Sequence, residues 1–167
     1  GQHNLLRIHA SNRHDQRPHA KLLSLYAAQQ SENVAHKERT KAMIGYVTLG
    51  TNNLNRAAEF YDALLAELGA TRFMEMKGFI AWAVNAQTTA LSLTAPYNGQ
   101  PATTGNGTMV ALAADTPATV DAVYRKAIEL GGTCEGPSGP RGESFYAGYF
   151  RDLEGNKLNV FCMMRSA

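Results

Sequence analysis

Histidine and cysteine, which often bind metals or activate nucleophiles, are unevenly distributed along this chain. All five histidines fall within the first 36 residues, and residues 43–167 contain none. The spacing of the two cysteines, Cys134 and Cys162, matches neither a disulfide framework nor a zinc motif. We therefore expect no histidine-based metal centre or general base after residue 42, and we interpret both thiols as buried or incidental.

A second group of residues is suited to binding a small molecule. Ser92 and Asn159 occupy the polar faces of two predicted strands, where the amide can orient a carbonyl or amide group. Ser92 has no neighbouring histidine to activate it as a nucleophile. Arg141 lies in a loop rich in Gly and Pro and can clamp an anionic group, or remain a solvated charge. Trp82 and Tyr149 either line a cavity or fill the core and sheet faces.

Two similar segments, each a strand followed by an amphipathic helix, must position these residues. Residues 44–69 contain a short strand, Asn53 as an N-cap, a helix with apolar residues three and four apart, and a glycine stop. Residues 109–132 repeat this pattern, with Asp115 or Thr116 as the cap. The sequence therefore predicts a duplicated strand-helix module.

Further strands are expected after each helix. In the first module they lie near residues 72–76, 79–84 and 90–94. In the second module, residues 135–143 are expected to form a loop, and strands follow at 145–150 and 157–162, joined by a tight turn at 152–156. Module one is thus predicted to span 43–97, the linker 98–107 and module two 108–165.

Residues 1–42 form a polar leader whose charge differs from that of the rest of the chain. Its basic residues exceed its acidic residues by four, whereas the remainder carries nine basic and eleven acidic residues. One helix is expected at Ala20–Gln30. Either the natural domain begins at Met43 and the leader is not native, or the leader packs on a neighbouring subunit. The leader has few aromatic residues and no run of like charges, which argues against a nucleic-acid partner.

The overall composition is that of a globular protein. Hydrophobic residues make up 44% and charged residues 18% of the chain, which are ordinary proportions for a soluble domain. No apolar run approaches the roughly 18 residues that would cross a bilayer, and the N-terminal region lacks a signal-peptide pattern. We expect one domain at 43–167, a cytoplasmic location and no membrane partner.

Two motifs resemble those of the vicinal-oxygen-chelate superfamily, which includes glyoxalase I, extradiol dioxygenases, and the bleomycin and fosfomycin resistance proteins. They are AAEFY in the first predicted helix and YFRDLEGNKLNVF near the C-terminus, where Leu153 replaces the usual proline. The resemblance covers about Met43 to Met163. It implies an α+β fold in which two tandem βαβββ modules form a curled mixed-sheet cup around one small-molecule site. It also implies a homodimer, because members commonly pair modules across two chains; a closed monomeric cup is the alternative.

Metal-dependent members of this superfamily place four ligands, usually histidine and glutamate, on the first and last strands of each module. The resemblance assigns these places to Tyr46, Ser92, Met109 and Asn159. Phenol, hydroxyl, thioether and amide groups are poor ligands for a divalent ion, since none is anionic at neutral pH. We therefore expect a metal-free member without a cofactor. The alternative is a carboxylate site built from Glu75, Glu143 or Asp152, or a site supplied by the leader.

Three functions fit these observations. The preferred one is a binding protein of the resistance type, which sequesters an aromatic or cationic small molecule in a metal-free cup. Its candidate ligand contacts are Tyr46, Trp82, Ser92, Met109, Arg141, Tyr149 and Asn159. The second is a glyoxalase I-like lyase or isomerase for a small α-oxo or thiol-conjugated substrate, with Tyr46 as a weak candidate for the acid or base. The third is a module that binds a partner protein.

Overall fold

The computed structural model describes residues 42–164, and the structural statements below concern this part of the chain. The predicted leader helix at Ala20–Gln30 lies outside it. The described residues form eight strands and two helices, in the order β1 (Tyr46–Gly50), α1 (Leu54–Ala66), β2 (Thr71–Met76), β3 (Phe79–Ala83), β4 (Ala90–Thr94), β5 (Val110–Ala113), α2 (Pro117–Glu129), β6 (Thr133–Pro140), β7 (Phe145–Arg151) and β8 (Lys157–Met163).

The strands form two four-stranded mixed sheets with equivalent topology. Sheet 1 has the order β1-β4-β3-β2 and sheet 2 the order β5-β8-β7-β6. The first strand of each module pairs in parallel with the last, and the remaining pairs are antiparallel. This arrangement confirms the predicted α+β fold of two βαβββ modules. The two sheets remain separate within residues 42–164, and neither one closes on itself.

Each helix begins where the sequence places a polar cap. The Asn53 side chain accepts a hydrogen bond from the Arg56 backbone N–H at 3.1 Å and caps α1. Thr116 caps α2 by accepting from the Thr119 N–H at 3.2 Å, which decides between the two predicted caps. Gly69 follows α1 with φ of +73°, the left-handed conformation expected after a helix end.

Both helices pack into one hydrophobic core. This core includes Leu64 of α1 and Val123 of α2, both fully buried, and side chains from one side of each sheet, such as Leu93 and Val160. Because alternate residues of a strand point to opposite sides, the intervening residues lie on the other side of each sheet, away from this core. We call that second side the inner face of its sheet.

Strand β6 departs from the sequence-based expectation. Residues 135–143 were predicted to form a loop, but β6 extends to Pro140 and pairs with β7 through two register shifts near Gly136 and Gly139. The prediction of a loop over this whole stretch is therefore wrong. The strand lies at the edge of sheet 2, where proline is tolerated because only one side must supply ladder hydrogen bonds.

The turn between β7 and β8 joins the two modules. Asp152 is buried, and its Oδ2 accepts a hydrogen bond from the Tyr61 hydroxyl of α1 at 2.8 Å. Glu154 accepts hydrogen bonds from the Thr51 hydroxyl at 3.0 Å and from the Asn52 backbone N–H at 3.1 Å. Asn156 donates to the Gly50 carbonyl at 3.2 Å. The predicted tight turn therefore also fixes module two to the start of module one.

No helix among residues 42–164 is long and apolar enough to cross a membrane.

Candidate functional site

The inner face of sheet 1 carries two of the predicted site residues. Tyr46 is the first residue of β1 and is half-buried, while Ser92 lies at the centre of β4. Ser92 is opposite Thr48 of β1 on one side and Ala81 of β3 on the other. Strands β1, β3 and β4 contain no charged residue. Sheet 1 therefore presents an uncharged inner face around these two positions.

The Ser92 hydroxyl is satisfied by its own sheet. Its Oγ lies 2.8 Å from Thr48 Oγ1 and donates to the Val47 carbonyl at 3.2 Å, and the residue is fully buried. These neighbours are a hydroxyl and a carbonyl, neither of which can accept a proton permanently at neutral pH. The contacts therefore give Ser92 a structural hydrogen-bonding role in sheet 1 and leave it without an activating base.

Trp82 lies on the opposite side of sheet 1, in the core. It is 1% exposed, and its indole Nε1 donates to Asp62 Oδ1 at 2.7 Å. The ring centroid of Tyr61 on α1 lies 5.9 Å away. Of the two roles predicted for Trp82, this placement supports core packing. The prediction of Trp82 as a ligand contact is wrong, because its side chain points away from the inner face.

The inner face of sheet 2 contains the equivalent pair, Met109 and Asn159. Met109 precedes β5 and is 45% exposed, and Asn159 lies at the centre of β8. Asn159 is opposite Ala111 of β5 and Tyr149 of β7, so Tyr149 is its direct cross-strand neighbour. The structure thus brings three predicted site residues together on sheet 2.

Asn159 differs from Ser92 in having an unsatisfied acceptor. The residue is 2% exposed, and its Oδ1 has no hydrogen-bond partner within the described part of the chain. Leaving such a buried acceptor unpaired costs about 1–3 kcal/mol. A buried acceptor that the chain leaves unpaired calls for a donor from outside the chain, either a water or a ligand.

Arg141 lies above the same face. Its guanidinium carbon is 5.7 Å from the centroid of the Tyr149 ring, within the range of a cation–π contact. Its Nη1 and Nη2 donate to the carbonyls of Pro140 at 3.0 Å and Pro137 at 2.6 Å. These bonds hold the guanidinium over the aromatic ring and use part of its donor capacity.

Sequence reasoning missed a cluster of three charged residues on this face. Glu135 of β6 forms ion pairs with Arg151 Nε and, at 2.7 Å, with Lys157 Nζ. Hydrogen bonds from Lys157 and then Arg151 hold the pKa of the Glu135 carboxyl below its usual value. Alternation along β7 and β8 places Arg151 and Lys157 on the same side as Tyr149 and Asn159. Applying that period to the two predicted strands would have identified both cations.

An open depression of about 690 Å³ adjoins the cluster. Its lining comprises Met109, Arg151, Lys157, Gly155 and the loop of residues 104–108. Two glycines are required by the side chains of this loop: a Cβ at Gly105 would clash with the Thr108 side chain, and one at Gly155 would come within 2.8 Å of the Thr104 side chain. The linker therefore contributes one wall of a cavity whose other wall is the basic part of sheet 2.

The four family ligand positions do not fit a divalent metal ion. Tyr46, Ser92, Met109 and Asn159 supply no carboxylate, imidazole or thiolate, and the Ser92 oxygen is already bonded within its sheet. Across residues 42–164, no three His, Cys, Asp or Glu side chains are grouped closely enough to share an ion. The donor chemistry therefore disagrees with the metal centre of the metal-dependent relatives.

The carboxylates considered as replacements lie elsewhere. Glu75 pairs with Arg72 at 2.8 Å and sits opposite Ile80, a core residue, which places it on the helix-facing side of sheet 1. Asp152 is engaged in the turn between β7 and β8, and Glu143 is exposed before β7.

Comparison with protein families gives one match over most of the chain. Residues 43–160 match the sequence model of the Glyoxalase/Bleomycin resistance protein/Dioxygenase superfamily. A comparison with curated proteins found no significant match.

Solved structures show the same architecture. A glyoxalase/bleomycin resistance protein from Albidiferax ferrireducens is 38% identical, with a TM-score of 0.67, over 72% of this chain and 98% of its own. A glyoxalase/bleomycin resistance protein/dioxygenase family enzyme from Burkholderia phytofirmans is 16% identical, with a TM-score of 0.59, over 74% and 100% of the two chains. Lactoylglutathione lyase from Agrobacterium tumefaciens is 22% identical, with a TM-score of 0.53, over 73% and 94%. The last two are similar in fold alone.

Proposed function

Since this chain belongs to the glyoxalase/bleomycin resistance protein/dioxygenase superfamily, we propose that it binds a small organic molecule on the metal-free inner face of sheet 2. The observation that carries this proposal is the buried, unpartnered Oδ1 of Asn159. A ligand with an N–H or O–H group would satisfy this atom and recover the free energy that its isolation costs the folded chain. Tyr149, Met109 and Arg141 surround the same region and supply apolar and cationic contacts.

The lowered pKa of the nearby Glu135 carboxyl favours a binding role over catalytic turnover. An isomerase or lyase without a metal needs a group that accepts a proton from carbon, and its pKa must be close to the working pH. Two cations lower the pKa of Glu135, which makes this carboxylate a weak base. Ser92 is bonded to Thr48 and lacks a basic partner. These features support sequestration over the lyase or isomerase alternative.

The charge of the site revises the expected ligand class. Arg151 and Lys157 with Glu135 give the cluster a net charge of +1, and Arg141 adds another positive charge over Tyr149. A cationic molecule would be repelled by this face, whereas a neutral or anionic one would not. The proposed ligand is therefore not a cation, in contrast to one of the two classes expected from the sequence.

A homodimer would complete a cup from two modules. The helix-facing sides of both sheets contribute to one core, so the two inner faces of one chain both turn away from it. A second copy can set the inner face of its sheet 1 opposite sheet 2 of the first. This arrangement would place Tyr46 and Ser92 of one chain across from Asn159 of the other. Light scattering is expected to give the mass of two chains, and a mass of one chain would contradict the pairing.

Metal content and ligand response test the function together. Elemental analysis of protein purified without a metal-affinity column is expected to find no stoichiometric nickel, zinc, iron or manganese. A screen of neutral and anionic small molecules is then expected to find compounds that raise the melting temperature of the wild type but not of Asn159→Leu. Lys126→Gln is the control, because Lys126 lies on α2 and away from both inner faces, and it should respond as the wild type does. Stoichiometric metal, or hits indifferent to Asn159, would refute the proposal.

A further inference from the structure

Four side chains on the inner face of sheet 2, at the end next to the β7–β8 turn, form a regular arrangement on two neighbouring strands. Arg151 of β7 is opposite Lys157 of β8, and two residues along the same strands Tyr149 is opposite Asn159. Residues two apart on one face of a strand are separated by about 6.6 Å. The backbone positions of the two cations are therefore about 6.6 Å from those of Tyr149 and of Asn159, whose amide oxygen needs a donor.

We propose that the ligand of sheet 2 carries an oxyanion, a phosphate or a carboxylate, which binds beside Arg151 and Lys157, and a hydrogen-bond donor that reaches Asn159 Oδ1. The proposal deepens the function given above and rests on it. A molecule with an anionic group at one end and a hydroxyl or amide N–H a few bonds away meets both requirements. The ring of Tyr149 would cover the part of the molecule between them.

The two cations retain donors for such a group. Lys157 has three N–H donors and Arg151 has five. Glu135 is their shared partner, and Arg151 also donates from Nη1 to the Gly155 carbonyl at 2.8 Å. One carboxylate does not neutralise two cations, so a second anion is electrostatically favoured beside them. The side chains of Arg151 and Lys157 are each 33% exposed, which leaves both accessible from the depression.

The loop of residues 104–108 faces these cations across the depression and supplies small polar side chains. Thr104 and Asn106 can donate hydrogen bonds to oxyanion oxygens, whereas the Thr108 hydroxyl already donates to the Gly105 carbonyl at 3.2 Å. Arg151 and Lys157 provide the charge, and the loop encloses the group from the other side. The lining thus combines features typical of phosphate and carboxylate sites.

Two matched pairs of probes separate the contribution of the oxyanion from that of the hydrogen-bond donor. Methyl phosphate and glycerol 3-phosphate share a phosphate, but only the second adds hydroxyl donors; propionate and lactate form the same comparison for a carboxylate. Calorimetry on the full chain, in buffer free of both anions, is expected to show tighter binding for the donor-bearing member of at least one pair. The pair that binds more tightly identifies the oxyanion.

Four substitutions test whether the probes bind on the inner face of sheet 2. Lys157→Gln is expected to weaken the binding of the tighter-binding pair of probes about tenfold, because it removes one charge-assisted hydrogen bond. Lys126→Gln is the matched control, because Lys126 is 34% exposed and also paired with carboxylates but lies on α2; it should leave affinity unchanged. Glu135→Gln should tighten binding by removing the competing carboxylate. Asn159→Leu should abolish the preference for the donor-bearing probe.

The outcomes distinguish this inference from the proposed function. Failure of all four anionic probes to bind, or equal binding by wild type and Lys157→Gln, would overturn the inference. If benzamide, a neutral probe with an amide donor, then raises the melting temperature of the wild type but not of Asn159→Leu, small-molecule binding on sheet 2 survives without the oxyanion. If benzamide also has no effect, both proposals fail.

Discussion

The inner faces of the two sheets share one backbone topology, but their polar side chains differ in hydrogen bonding. Thr48 and Ser92 face each other across β1 and β4, and Ala111 and Asn159 occupy the corresponding positions across β5 and β8. On sheet 1 the two hydroxyls bond to one another at 2.8 Å. On sheet 2 alanine offers no partner, so the amide oxygen of Asn159 stays unsatisfied.

This difference shows how the two halves of a duplicated scaffold can share a fold and still differ in the polar groups on their inner faces. Strand order is equivalent in the two modules, and both helices have a polar cap at their start and a buried apolar stripe. The polar side chains on the inner faces do not contribute to that packing and are free to differ. In module one the hydroxyls of Thr48 and Ser92 are hydrogen-bonded to each other, whereas module two has a buried, unpaired acceptor and a surplus of positive charge.

The largest expected effect is a loss of stability at the β7–β8 turn, which links the two modules. Asp152 accepts hydrogen bonds from the Tyr61 hydroxyl and from the backbone N–H groups of Glu154 and Asn156. Asp152→Ala leaves these buried donors unpaired and is expected to lower the free energy of unfolding by about 3 kcal/mol. Urea denaturation measures this loss. A change below about 1 kcal/mol would show that the modules do not depend on this turn.

Intermediate effects of opposite sign are expected at the two equivalent polar positions. Ser92→Ala removes a satisfied hydroxyl and should cost about 1 kcal/mol, whereas Asn159→Leu replaces an unsatisfied amide with an apolar side chain of similar shape and should be neutral or stabilising. Thermal unfolding of the ligand-free proteins compares them. Destabilisation by both substitutions to the same extent would remove the contrast between the two sheets.

The smallest expected effect is a loss of stability at alkaline pH through Tyr61. Burial, followed by the charge of Asp152 and its hydrogen bond, raises the pKa of this hydroxyl well above its ordinary value. A group whose folded pKa is raised contributes fully below its unfolded pKa, near 10 for tyrosine, and loses that contribution as the pH rises through the folded value. The loss from Tyr61 is expected to be on the order of 1 kcal/mol shortly above pH 10.

Comparison with Tyr61→Phe isolates this contribution. The variant should be less stable at neutral pH, because it lacks the hydrogen bond to Asp152, but its stability should fall less steeply above pH 10. A residual slope is expected from Tyr124, whose pKa is raised to about 12 by its hydrogen bond with Cys134, and from Tyr146, whose pKa is raised first by its bond to Asp121. If stability falls equally steeply with pH in wild type and Tyr61→Phe, the raised pKa of Tyr61 is not the cause of the alkaline loss.

Much of the fold follows from local features of the sequence. The caps at Asn53 and Thr116, the periodic apolar residues of both helices and the tight turn after β7 are encoded within a few positions of one another. The prediction failed at β6, where proline and glycine favour a loop locally. Pairing with β7 overrides that preference, since an edge strand needs hydrogen bonds on one side only.

The sequence by itself determined the duplicated strand-helix plan and, through the family resemblance, the chemistry of the four ligand positions, because side-chain type alone decides which groups can hold a divalent ion. Only the tertiary structure decided which candidates share a face. It placed Trp82 in the core against Asp62, satisfied Ser92 through Thr48, and left Asn159 beside Arg151, Lys157 and Glu135. These relations depend on strand register and on contacts between distant residues, which no local pattern in the sequence specifies.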